Sequence, residues 1–280
     1  MPAPIKPLTD ALPRFLRRCD AESTRVAYNR ELRRFLAWMG EQAGPEVLFD
    51  YRDHLRQRGL GPTTIQWRTT VARAFLRFAE QQGVVDPRTT GDFRPPKGKS
   101  GFAPRILGRS EIRRLLQAPD RRARRGKRDA LILVCLGVGG LRAGEVCRLG
   151  AEDVQVRSSG PLLHVTGKRR KLRLVALPAE WSALLRSYLR SWPEARGDAP
   201  LLWCGQPGHE GDRLTVAAVD YVVRTHAKTA GLSKVSAHAL RHTAASLAID
   251  AGEPLHRLRD RLGHSNILVT SRYLHVGSAE

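Results

Sequence analysis

The sequence is short of cysteine, of acid and of long apolar runs, and each shortage narrows what the chain can be. Four cysteines, Cys19, Cys135, Cys147 and Cys204, are scattered along 280 residues. They form no C-x-x-C pair and no Cys/His cluster with metal spacing. That argues against structural zinc and a disulfide framework, and it suits a reducing cytosol. No stretch of about 18 apolar residues is present, so nothing in the sequence reads as a bilayer span. The start lacks the basic residues, apolar stretch and cleavage site of a secretory signal. No internal repeat is found. Acidic residues number 27 against 48 Lys and Arg, leaving a formal net charge of +21.

A chain this basic repels itself unless something anionic neutralises it. Nucleic acid is the natural partner, because each phosphate contact releases a counterion. A membrane surface is the competing partner. A high-GC genome accounts for part of the arginine excess, but not for the failure of acids to keep pace. The hydrophobic share of 41% is enough to build cores at this length.

The first third reads as helices. Asp20-Ala-Glu-Ser-Thr offers N-cap residues, and Val26, Leu32, Phe35, Leu36 and Met39 then recur at helical spacing. Arg25, Arg30, Arg33 and Arg34 lie between them, which predicts one apolar and one basic face. A shorter helix runs from Val47 toward Gly59 and Gly61. Pro62-Thr63-Thr64 opens another, through Ile65, Val71, Phe75, Leu76 and Phe78, stopped near Gly83. The stretch around 91–104, rich in Pro, Gly and Lys, reads as a linker. The predicted division is residues 1–93 as a helical domain of four or five helices, 94–106 as linker and 107–280 as a larger domain.

In that larger domain a helix follows Ser110-Glu-Ile, and the almost wholly apolar stretch from Asp129 to Val138 predicts a buried helix. Three short strands are expected at Asp153 to Arg157, Leu162 to Thr166 and Leu172 to Leu177, joined by turns. Helices resume at Ala179 to Ser191, Thr215 to Ala230, His238 to Ala251 and Pro254 to Leu262. Trp181, Leu184, Leu185, Tyr188 and Leu189 are spaced for a core face, and Trp203 also reads as core.

Four segments here carry polar residues that packing does not require. In Gly139-Gly-Leu-Arg-Ala-Gly-Glu145, Arg142 follows the buried helix in a glycine-rich turn. In Thr166-Gly-Lys-Arg-Arg-Lys171, Lys168 sits at a hairpin tip. In His238-Ala-Leu-Arg241 the i, i+3 spacing turns both side chains the same way. Leu262-Gly-His264-Ser is followed nine residues later by Tyr273. Each segment alone has a bland reading: a surface charge, a solvated pair, one basic turn residue among several, a packed tyrosine.

Taken in order, Arg, Lys, His-x-x-Arg, Leu-Gly-His and Tyr resemble the signature of the tyrosine recombinase (lambda-integrase-like, Xer-like) family. His264 follows Arg241 by 23 residues, a spacing that looks like the family's. In the N-terminal segment Ser-Thr-x-x-x-Tyr28 and Pro-Thr-Thr-Ile resemble the family's core-binding domain, so the likeness covers nearly the whole chain. The implied fold is mainly α: a helical, SAM-like N-terminal domain and a mostly helical catalytic domain with a small antiparallel sheet.

The chemistry fits the residue types. Breaking a phosphodiester without a metal needs preorganised donors around the phosphate oxygens, where charge accumulates in the transition state. Arginine suits this through its planar, permanently charged fork, so Arg142 and Arg241 are the expected clamp. A phenol with a pKa near ~10 needs a base and a cationic site to attack. Tyr273 is the expected nucleophile and His238 its base. A lysine on a hairpin can protonate the leaving 5′ oxygen, a role the resemblance gives to Lys168. His264 would donate a hydrogen bond to the phosphate, and Glu145 would support the site.

The resemblance further implies a 3′-phosphotyrosyl link, strand exchange through a four-way junction and no cofactor. It implies double-stranded DNA with specific sites as partner, a homotetramer on that DNA, and room for accessory proteins. It also implies a cytoplasmic, nucleoid-associated setting in a prokaryote, away from membranes. Arg25, Arg30, Arg33, Arg34, Arg68, Arg73, Lys97 and Lys99 are expected DNA contacts. Two features depart from the family pattern. The hairpin reads Gly-Lys-Arg-Arg-Lys instead of Gly-Lys-Gly, which makes Lys171 the alternative to Lys168. Seven residues follow Tyr273, too few for a docking helix, so subunit coupling is expected to use another surface or a few tail residues only. A type IB topoisomerase and a DNA-binding protein with an inactive site are the competing functions.

Overall fold

The computed structural model describes residues 3–40, 42–98, 105–167, 171–192, 196–206 and 208–263. The chain divides into two compact units, residues 1–102 and 103–280.

The N-terminal unit is built from four helices, α1 Ile5–Leu16, α2 Glu22–Met39, α3 Val47–Gln57 and α4 Pro62–Gln81, with a two-residue antiparallel pairing of β1 (Ala3–Pro4) and β2 (Gln42–Ala43). Leu8, Leu12, Leu32, Phe35, Leu48, Leu55, Phe75 and Leu76 form its core. Pro62 starts α4 where its missing N–H costs nothing. The α2 stripe differs from expectation at two places. Val26 is 60% exposed, because the buried stripe runs through Leu32, Phe35 and Leu36 instead. The N-cap is Ala21, and no side chain caps the helix. Glu31, on the buried stripe, takes a 2.6 Å hydrogen bond from the Tyr51 hydroxyl. Phe93 is buried in the same core, and the Gly98 N–H donates to Gln66 Oε1.

The C-terminal unit is organised around α6, Arg124–Gly137. Ala130 through Cys135 and Leu136 are all at most 3% exposed. A helix apolar on every side must be enclosed on every side, and each such leucine contributes about 1.5–3 kcal/mol relative to exposure. Around α6 pack α5 (Arg109–Gln117), α7 (Ala143–Arg148), α8 (Ser182–Ser191), α9 (Val216–Thr229) and α10 (Ala237–Asp250). A 3-10 turn, Ala179–Trp181, precedes α8, and α11 (Leu255–Leu262) packs on α10. Thr215 and Ser236 cap α9 and α10, their hydroxyls accepting from Ala218 and Ala239 N–H.

The three strands form one antiparallel sheet, β3 (Val154–Arg157), β4 (Gly160–Thr166) and β5 (Leu172–Ala176), in the order β3-β4-β5. Leu163 pairs with Val175 and Val165 with Arg173. Leu163, Val165 and Val175 are buried while Leu172 and Leu174 are exposed, so period-2 alternation puts Arg173 on the inner face. The fold is mainly α with a small antiparallel sheet, as the sequence implied. Among the described residues no helix is long and apolar enough to cross a membrane.

Candidate active site

The site grows from three chain ends that meet beside α6. The first is the turn after α6. Gly140 has φ +69°, and a Cβ there would lie 2.8 Å from Leu262 Cδ2, so glycine permits both the turn and the close approach of α11. Arg142 then stands as N-cap of α7. Glu145, three residues on, reaches back to the Arg142 N–H at 2.8 Å and takes 2.9 Å from its guanidinium. The second is α10, where Arg241 is 3% exposed and donates to the Gly140 and Leu262 carbonyls, each at 2.7 Å. The third is the C-terminus of α11. Its Leu262 and Gly263 carbonyls each accept 3.3 Å bonds from Arg142. Both arginines therefore converge on the Leu262 carbonyl, one residue before the Gly263-His264 step.

A fourth element joins them. Arg173 of β5 donates to both Glu145 oxygens at 2.9 and 2.7 Å, and its Nε–H donates to the Arg261 carbonyl at 2.7 Å. Arg241 lies 3.8 Å from the same carboxylate. Three guanidinium groups thus surround one buried anion. Burial alone would raise the Glu145 pKa; the hydrogen bonds from Arg173 and the Arg142 backbone outweigh it and hold the carboxyl at about 2. Arg261 closes the bottom of this network, pairing with Glu253 and donating to the Val138 carbonyl.

His238 lies on the exposed side of α10, one turn from Arg241. Partial burial, then the Arg241 and Arg142 charges, lower its pKa. His242 approaches it with 2.8 Å between the two Nε2 atoms and rings nearly perpendicular. Burial, then His238 and Arg241, lower the His242 pKa to about 4. Both imidazoles are therefore neutral near pH 7, and an Nε2–Nε2 hydrogen bond requires a proton on one and a lone pair on the other. A neutral His238 beside two cations can accept a proton from an acidic oxygen nucleophile.

Of the expected site residues, the structure brings together Arg142, Glu145, His238 and Arg241. Lys168, His264 and Tyr273 lie outside the described residues. Lys171, the alternative lysine, opens the return to β5; its carbonyl accepts from the Gly167 N–H at 2.8 Å. Arg173 and His242 were not expected. His242 shares the i, i+4 stripe of His238, a signal present in the sequence. Arg173 carried none, since its partner Glu145 is 28 residues away.

In the N-terminal unit Arg25, Arg30, Arg33, Arg34 and Lys97 are exposed. Arg68 is only 18% exposed and turns toward Glu31 at 3.5 Å, so it serves the unit's interior ion pair. Arg73, Arg18 and Arg77 line a 610 Å³ pocket with Phe15, Tyr28 and Phe78. Lys99 lies outside the described residues. Among the described residues no group of three or more His, Cys, Asp or Glu could hold a metal ion.

Comparison with known proteins agrees along the whole chain. Residues 105–280 match the phage integrase family, and residues 14–83 match the phage integrase N-terminal SAM-like domain. Tyrosine recombinase XerD of Pseudomonas putida is 31% identical over 100% of this chain and 96% of its own length. Tyrosine recombinase XerA of Thermococcus kodakarensis is 31% identical over 89% of this chain and 83% of its own. Among solved structures, a lambda integrase (75–356) dimer bound to a COC′ core site superposes with TM-score 0.74 at 15% identity, covering 98% of this chain and 96% of that one. XerH site-specific recombinase in a post-cleavage complex with its difH substrate gives TM-score 0.68 at 23% identity, covering 84% and 68%. The chain therefore belongs to the phage integrase family and is a tyrosine-type site-specific DNA recombinase.

Proposed function

We propose that the cleavage step runs through Arg142, His238, Arg241, Lys168, His264 and Tyr273 on double-stranded DNA. Arg142 and Arg241 hold the non-bridging oxygens of the scissile phosphate. The Tyr273 phenol oxygen forms a bond to phosphorus, its proton passes to neutral His238, and the bond from phosphorus to the 5′ oxygen breaks. Lys168 supplies the proton that the leaving 5′ oxygen takes up, and His264 donates to the phosphate. A free 5′ hydroxyl from a partner strand reverses the step and restores Tyr273. The phosphodiester energy is kept in the 3′-phosphotyrosyl link, so the exchange needs no external energy source.

The observation that carries this reading is the convergence of Arg142 and Arg241 on the Leu262 carbonyl, two residues before His264. Three of the other four tyrosines are held in structural contacts. Tyr51 and Tyr188 are buried, bonded to Glu31 and to the Leu201 carbonyl, and their pKa values are raised, first by burial. Tyr28 packs against Phe15 in the other unit. Tyr221 is the one exposed competitor among them.

Within this reading residues 1–93 grip DNA with Arg25, Arg30, Arg33 and Arg34, residues 94–106 tether and add Lys97 to the grip, and residues 107–280 cut. The active assembly is a tetramer holding two DNA sites, with accessory proteins as added partners, in a cytoplasmic, nucleoid-associated setting. The test uses a nicked duplex selected from a randomised pool by covalent capture on the full chain. Wild type is expected to form a protein–DNA adduct that resists denaturant, and Tyr273→Phe is expected to form none. An adduct formed equally by Tyr273→Phe, or none by wild type, overturns the reading.

A further inference from the structure

We propose that Arg173 is a positioning residue: the three-point hold of its guanidinium on Glu145 and on the Arg261 carbonyl sets the geometry of the Arg142–Arg241 pair and ties it to the β4–β5 hairpin. The proposal rests on the reading above, and it adds a residue that touches none of the reacting atoms.

Three observations carry it. First, Arg173 is the one inward-pointing charge on a strand whose other inner residue, Val175, is fully buried. An arginine only 11% exposed at its side chain must be paired, and a strand interior is an unfavourable place for one without a purpose. Second, its contacts are divided between two different parts of the site. Both terminal nitrogens meet Glu145, whose other bonds fix Arg142, while Nε–H meets the last turn of α11. A lysine could not make this fork, because it presents a single point of attachment. Third, the chain is shaped around it. Gly263 has φ +65°, and a Cβ there would stand 3.2–3.3 Å from the Arg173 side chain. The residue that leads into His264 is thus bare where Arg173 passes beneath it.

The consequence is mechanical. β5 leaves the hairpin turn at Lys171, and Arg173 is two residues further on. Any shift of the hairpin along β5 pulls on Glu145 and on the α11 end together. Placement of β5 and alignment of the arginines are therefore one event. A 1 Å displacement of a phosphate clamp can cost about 100-fold in rate.

The test compares wild type, Arg173→Met and Arg173→Lys as full chains on the captured nicked duplex. Duplex affinity, cleavage rate at saturating duplex, and the pH dependence of that rate are read together. Arg173→Met is expected to slow saturated cleavage about 100-fold while duplex affinity falls far less. Arg173→Lys is expected to recover part of the rate. The groups facing Glu145 are Arg142, Arg173 and Arg241. Without Arg173 its depressed pKa rises, so on the acid side of the cleavage profile, below the His238 limb, the Glu145 limb moves to higher pH in Arg173→Met and less so in Arg173→Lys.

A mere structural staple would lower the folded fraction and leave the limb where it was. An unmoved limb or an unchanged saturated rate overturns the proposal, as does Arg173→Lys cleaving at the full wild-type rate. That second variant decides the matter if Arg173→Met does not fold. Wild type forming no adduct overturns the parent reading and this one with it. Wild type forming adduct while Arg173→Met matches its rate overturns this one alone.

Discussion

Replacing Glu145 by glutamine removes one charge and almost no volume, and the cost should be large. The carboxylate is 2% exposed and accepts four hydrogen bonds, two from Arg142 and two from Arg173, with Arg241 at 3.8 Å. Glutamine can accept at one oxygen only, and its amide turns two donors toward a donor. Arg173 and Arg241, almost fully enclosed, would lose their counter-charge. Breaking a buried pair from one side costs about 3–5 kcal/mol. The ionisation gives a second route to the same quantity. Holding the Glu145 pKa at about 2, against an ordinary 4.5, is worth about 3 kcal/mol at about 1.4 kcal/mol per pH unit.

The sign follows from linkage. A carboxyl whose pKa is depressed on folding contributes stability that is complete above 4.5 and is lost as pH falls toward 2. The assay is amide exchange at Leu131 to Leu136 in α6, which reports the opening of the C-terminal unit alone. At about pH 6 Glu145→Gln should lower that opening free energy by about 3 kcal/mol or more. Between about pH 6 and about pH 3 wild type should lose about 2 kcal/mol more than Glu145→Gln does. A deficit below about 1 kcal/mol, or one that is the same at both pH values, would refute the assignment of Glu145 as the anion that organises the site.

Two further outcomes are expected. Gly263→Ala should destabilise the chain by about 1–2 kcal/mol, because the residue adopts φ +65°, and it should slow cleavage by crowding Arg173; thermal unfolding and single-turnover cleavage check the two parts. Duplex affinity should fall steeply with salt, with a logarithmic slope of about −0.9 for each phosphate neutralised; a flat titration would exclude an extensive grip by the exposed arginines of α2.

How much of this is legible in the sequence depends on the range over which each signal acts. The helix α6 and the three strands are legible because their signals are local: an unbroken apolar run, and short segments set off by hairpin turns. α1 is harder to read, since Pro13 sits inside it and its stability comes from Leu8, Leu12 and Phe15 packing on neighbouring helices. Val26 has helical spacing yet is exposed, because spacing gives the stripe's period without fixing its phase. Arg142, His238 and Arg241 are legible through their order along the chain. Their geometry is not, because it depends on carbonyls of Gly140, Leu262 and Gly263 that have no side-chain signature. Arg173 looks like one more basic residue in a basic hairpin until the fold brings Glu145 against it. Arg68 is the reverse case, an arginine in a basic segment that turns inward to Glu31.

The central claim is that Tyr273 is the residue that becomes joined to DNA. Its most direct test is to digest the captured protein–DNA adduct with protease and nuclease and to sequence the nucleotide-bearing peptide by mass spectrometry. The expected result is a nucleotide attached through its 3′ phosphate to Tyr273. Attachment at Tyr221, at any other side chain, or through a 5′ phosphate would contradict the account.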